Sequence, residues 1–303
     1  MKSRFAFTMI ELIFVIVIMG IIGKFGVEFL AQAYKSFIFT SINHTLQSNS
    51  ASAVEFISSR LQYRIKDSVI ARTGEVVTFD SIANLDDTLS YTVLEWISSD
   101  VEGFRSTTLP NWSGIIDLNN TNASPTVLVS PQTNTTAITN LIGILSHGNS
   151  DISNAALYFI GSNTNKDGYG WDGNALTDQT GVMHPINSIA GAGNIDKFSP
   201  RTGVNTFTGI DVYEYYKLAW TANAVVIENI DATDNTFDLV YYFDYQPWDG
   251  EKFYDSSKNI KHFTIMKNIS TFRFTSIGSI LKIQVCAKST IGEYSLCKEK
   301  TIF

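Results

Sequence analysis

The chain has 303 residues, 44% of them hydrophobic and 17% charged, with a formal net charge of −7 and a pI of about 5.1. That length and apolar content supply one large or two modest cores and exclude a disordered chain. The acidic balance excludes the basic footprint that nucleic acid as principal partner would need.

The first residues are basic, with Lys2 and Arg4, and an apolar run follows in which Glu11 is the only ionisable side chain between Phe7 and Gly23. As a helix this run would be roughly 25 Å long, nearly enough to cross a bilayer. A carboxylate inside such a segment costs on the order of 2.5–3.5 kcal/mol, so it needs a cation or a hydrogen-bond donor. Cleavage between Ala6 and Phe7 would create one, an α-amino group, and the open end of a helix starting there favours a negative charge in its first turn. By the positive-inside rule the N-terminus stays cytoplasmic and the rest is exported, with Lys24 marking the outer edge.

The stretch Phe5-Ala6-Phe7-Thr8-Met9-Ile10-Glu11-Leu12-Ile13, with Gly20 inside the apolar run, resembles the class III signal of type IV pilins and type II secretion pseudopilins. The resemblance implies that residues 1–6 are a leader removed by a membrane prepilin peptidase and that the amine of Phe7 is N-methylated. It further implies that Glu11 neutralises that amine on a neighbouring subunit. Implied partners are other pilin or pseudopilin subunits, the peptidase and an inner-membrane assembly platform, with the head in the periplasm or beyond. Ala6 departs from the Gly usual in that family. The alternative is a membrane-anchored extracytoplasmic enzyme or binding protein whose anchor only looks similar. An uncleaved anchor or a secretory signal peptide gives Glu11 no task.

Residues 7–30 are thus expected as the transmembrane and assembly helix, and 31–72 as its amphipathic continuation in the head. Tyr34, Phe37, Ile38, Ser41, Ile42 and Leu46, then Val54, Ile57, Leu61, Ile65 and Val69, recur mostly every three or four residues, an apolar stripe on one helix face. No Pro interrupts it as far as Val69. Ser48-Asn49-Ser50, poor helix formers, mark the expected bend, and Gly74 ends the element.

The head, 73–303, is expected to be β-rich. Glu75–Phe79 and Leu89–Leu94 read as strands around a turn at Asn84–Asp87. Residues 103–209 read as an insertion with long loops around short apolar runs such as 126–129 and 156–160. From Ala224 the strand signal sharpens: 224–230, 237–245, 262–266, 271–275, 280–286 and 294–298, with turns at Pro247–Gly250 and Ile277–Ser279. The later part of this run also looks like the last strands of larger minor pilins and J-type pseudopilins. The expected fold is therefore α+β and pilin-like, one long helix packed on an antiparallel sheet. Residues 251–303 carry nine Lys or Arg against four Asp or Glu, which reads as a solvated strand face.

In an exported head the two cysteines, Cys286 and Cys297, are expected to form a disulfide. Asn163-x-Asn165-x-Asp167-Gly168 resembles the opening of a calcium loop, to which Asp172 would add an oxygen, although the Glu at the twelfth position is missing. His44, His147, His184 and His262 are scattered, and no nucleophile elbow, metalloprotease helix or phosphate loop is present. No enzyme activity is expected. Four of the five tryptophans read as core, with Trp171, between Gly170 and Asp172, as the exposed one.

Overall fold

The computed structural model describes residues 8–85, 90–162, 164–258, 260–289 and 294–303. It opens on a single helix, α1 (Met9–Leu61), 53 residues or about 80 Å long. No residue of α1 before Leu46 is buried. From there Leu46, Ala53, Val54, Ile57 and Leu61 face the protein at helical spacing, so the apolar stripe becomes a packing surface only in the last third of the helix. The helix continues unbroken through Ser48–Ser50, where a bend was expected. Ser50 is buried and its hydroxyl donates to the Leu46 carbonyl at 2.7 Å, which satisfies it without leaving helical geometry.

The helix ends at Leu61 rather than near Ile70. The Ile65 amide donates to the Ile97 carbonyl at 2.9 Å and the Ser99 amide to the Tyr63 carbonyl at 3.0 Å. The chain after Leu61 is therefore held by a strand instead of its own helix.

Two antiparallel sheets follow. The first contains β1 (Ile70–Arg72), β2 (Asp80–Ser81), β3 (Val93–Ser98), β9 (Thr221–Asp231), β10 (Thr236–Tyr245), β11 (Lys261–Ile277), β12 (Ile280–Lys288) and β13 (Ser295–Ile302), in the order β13-β12-β11-β10-β9-β3-β1-β2. The second has the order β4-β7-β6-β5-β8 and contains β4 (Leu128–Val129), β5 (Ala156–Phe159), β6 (Met183–Ser188), β7 (Lys197–Pro200) and β8 (Tyr216–Ala219). Short α2 (Val101–Arg105) precedes this second sheet, and α3 (Thr135–Leu145) lies between β4 and β5.

The layers are legible in which core each side chain joins. On β3, Leu94 and Trp96 join the core beneath α1, while Val93 and Ile97 join the core between the sheets. On β5, Ala156 and Tyr158 point into that second core, whereas Leu157 and Phe159 join a third with α3's Ile138 and Ile142. The first sheet thus lies between α1 and the second sheet, and the second between the first sheet and α3. Towards β13 the first sheet has only α1 on one face, and its other side alternates into solvent, with Lys282 and Glu299 paired at 3.0 Å.

Several expected elements shift. Glu75–Phe79 is not a strand: Val76 and Val77 are exposed, and their carbonyls accept from the buried Arg72 guanidinium instead of a ladder partner. The strand expected from Leu89 runs from Val93 to Ser98; Leu89 and the Asp86-Asp87 part of the expected turn lie outside the described residues. The two strands expected at 262–266 and 271–275 are one long β11. Its first half pairs with β10 and its second with β12, with register shifts on both sides and Asn268 at φ 57°. Residues 103–209 are mostly irregular, as expected of an insertion with long loops, but they also hold α3, four strands and most of the third core. Trp171, expected at the surface, is 2% exposed and packs between the sheets.

Candidate functional site

The apolar part of α1 starts on a closed cap. Thr8 is extended, and its hydroxyl accepts from the Glu11 amide at 3.4 Å. The Glu11 carboxylate reaches back through Oε2, which accepts from the Thr8 amide and the Thr8 hydroxyl at 2.9 Å each. This is a capping box, and the spacing Thr8-x-x-Glu11 is its sequence signature. Glu11 therefore has a partner within its own chain, in addition to the amine expected from a neighbour. Both bonds use Oε2, and Oε1 has no partner among the described residues. Ala6 and Phe7, the expected cleavage and methylation positions, lie outside the described residues.

Beyond the cap, α1 is long enough and apolar enough to cross a membrane, as a membrane anchor or a signal sequence is. Large side chains from Met9 to Phe37 are exposed all round it, and the first aromatic contact with the head comes at Phe39, whose ring lies 5.5 Å from that of Tyr294. Lys24, expected at the membrane edge, lies 3.8 Å from Glu28 one turn on.

In the head, Cys286 and Cys297 are bonded across β12 and β13, where they are direct register partners. Two of the expected calcium ligands, Asn165 and Asp172, accept hydrogen bonds from their own loop. Asn165 Oδ1 accepts from the Asp167 amide at 3.2 Å, and the Asp172 carboxylate accepts from the Asn174 amide at 3.1 Å and its side chain at 2.9 Å. Asn163 lies outside the described residues. Among the described residues no three His, Cys, Asp or Glu side chains converge.

No family model, no curated protein and no solved structure matches this chain.

Two constellations were not legible in the sequence. Arg72 and Glu95, 2% and 1% exposed, form an ion pair between the sheets. Arg72 also donates to the carbonyl of Trp171 at 2.7 Å, and Tyr245 donates to Glu95 at 2.8 Å, so β1, β3, β10 and the Trp171 loop meet at one charge pair. Burial, then the Glu95 charge, pushes the Tyr245 hydroxyl well above its ordinary pKa. These residues are far apart in sequence, and only the pairing of β1 with β3 hints at the contact.

The second constellation is an aromatic groove at the foot of α1. Asp100 caps α2 and accepts from the Gly103 amide at 3.1 Å and from Trp112 Nε1 at 3.1 Å, which fixes that indole under Phe104. Burial pushes the Asp100 carboxyl up to about 6, with the nearby Glu102 charge adding to it and the bonds from Gly103 and Trp112 opposing. Across the third core the His184 ring lies tilted against Phe159 with 4.7 Å between centroids and shares a 3.2 Å hydrogen bond with Gln179; burial brings its pKa down to about 4.

Proposed function

We propose that this chain is a structural subunit of the type IV pilin and type II secretion pseudopilin kind, a large minor one, anchored in the inner membrane by α1 and assembled through it. The observation that carries this reading is the surface of α1: more than half of the helix is apolar and uncovered, and an ionisable Glu11 stands in its first turn. A membrane covers that surface in the free subunit, and the same helix of neighbouring subunits covers it in a filament. Oε1 of Glu11, without a partner among the described residues, is then the acceptor for the amine of an incoming Phe7, while Oε2 keeps the cap. The head stands on the far side of the membrane, where its disulfide is stable.

The capping box favours a second reading. Since Glu11 already completes its own helix, a plain membrane anchor carrying an extracytoplasmic enzyme or binding domain would also use it. Substituting Glu11→Gln separates the two, because the amide still accepts from Thr8 but carries no charge. The assembly reading predicts that Glu11→Gln and Glu11→Ala both stay in the membrane and out of filaments. Thr8→Ala, which costs about 1 kcal/mol of capping, should still be incorporated. Normal incorporation of Glu11→Gln would overturn assembly by charge pairing and leave the anchored domain.

A further inference from the structure

Where α1 gives way to the sheets, a groove of about 450 Å³ opens on the surface of the head. Trp112 and Tyr216 form its buried floor, and Phe104, Ile160 and Tyr215, each about half exposed, form its walls. The rings make a continuous ladder, Phe104 to Trp112 at 4.8 Å between centroids and Trp112 to Tyr216 at 5.6 Å. Single exposed apolar side chains are ordinary on a protein surface, but several lining one concavity mark a binding site.

The groove is not electrically neutral. Lys217 of β8 lines it, partly buried, and its pKa is pushed down first by burial and then by the charges of Lys66 and Arg64. Among the described residues no carboxylate pairs with Lys217, Lys66 or Arg64. Arg64 is buried and donates to the carbonyls of Leu61 and Ser279. Arg64 and Lys66 line a separate cavity together with Asp67, so Lys217 is the one charged side chain among the described residues that line the groove.

We propose that this groove binds a small organic anion with a flat apolar body, an aryl carboxylate in its simplest form. The ring lies along the Phe104–Trp112 ladder and the carboxylate meets Lys217. Stacking on aromatic rings accepts any flat body, so the charge supplies the selectivity: an anion pairs with the Lys217 ammonium, and a cation is repelled by it. A sugar fits less well, because the exposed walls offer mostly carbon where its hydroxyls would need partners.

The test uses the full chain in lipid nanodiscs, titrated with 1-naphthoate and, in parallel, with 1-naphthylmethylamine. Binding is followed by ligand-observed NMR, with empty nanodiscs subtracted. Naphthoate is expected to bind with a Kd below about 1 mM, and the amine on the order of tenfold more weakly. Lys217→Met, which removes a partly buried cation and keeps the volume of the side chain, should abolish the preference. Phe104→Ala, at an exposed position, should weaken both ligands several-fold. Equal affinity for the two probes, no binding at millimolar concentration, or an unchanged preference in Lys217→Met would overturn the proposal. A concentration-dependent dimer that excludes naphthoate would also overturn it and would assign the groove to a second copy of this chain.

Discussion

Asp100 and His184 make opposite demands on pH, and the structure fixes both signs. The Asp100 carboxyl is carried from an ordinary 3.8 up to about 6 in the folded protein. Its contribution to stability is fully present below pH 3.8 and is lost as pH rises through 6, a change of about 3 kcal/mol. His184 is carried from 6.5 down to about 4. Its contribution is fully present above pH 6.5 and is lost as pH falls through 4, again by about 3 kcal/mol. Between pH 4 and 6 the two nearly cancel in the parent protein. Substituting either one uncovers the other. The stability of His184→Gln relative to the parent should improve by about 3 kcal/mol on going from pH 7 to pH 4. That of Asp100→Asn should improve by a similar amount in the opposite direction. Urea unfolding followed by tryptophan fluorescence at four pH values measures both, and the remaining carboxylates cancel in the differences. Variants that run parallel to the parent at every pH would refute the reasoning, since burial would then shift neither group.

Other substitutions test the packing. Arg72→Met strands the Glu95 charge between the sheets and should cost about 3–5 kcal/mol in chemical denaturation, most of it recovered when Glu95→Leu is added. Gly170 has φ +86°, and a Cβ there would lie 2.5 Å from the Pro247 carbonyl oxygen. Gly170→Ala should therefore cost about 3 kcal/mol by the same measurement. Cys286 and Cys297 are 11 residues apart in sequence, and replacing both by Ser should cost about 3 kcal/mol and expose β13 to proteases.

The parts of the fold that announced themselves are those with one buried face. The stripe from Leu46 to Leu61 and the strands β11 to β13 carry patterns set by a single neighbour, and they lie where the sequence places them, apart from the two expected strands that join in β11. Where both faces are buried the pattern vanishes. Val93 to Ile97 is buried on either side because α1 takes one face and the second sheet the other, so its extent could not be read from alternation. Residues 103–209 looked like loop because their strands are short and pair with one another across long separations. Trp171 looked exposed because Gly170 and Asp172 flank it, yet Gly170 is there for close approach to Pro247 and Trp248, which buries the indole.

The candidate sites divide the same way. Thr8 and Glu11 are three residues apart, and the capping box could have been read from that spacing alone. The aromatic groove assembles from α1's end, α2 and β8, and no local motif signals it.

Mass spectrometry of the N-terminus of the protein purified from its native host tests the assignment most directly. A chain that begins at N-methylated Phe7 is the predicted result, and it would mean that prepilin peptidase accepts Ala6 before the cut. An intact Met1 in a host with active peptidase would contradict it, and Glu11 would then be the cap of an ordinary membrane anchor.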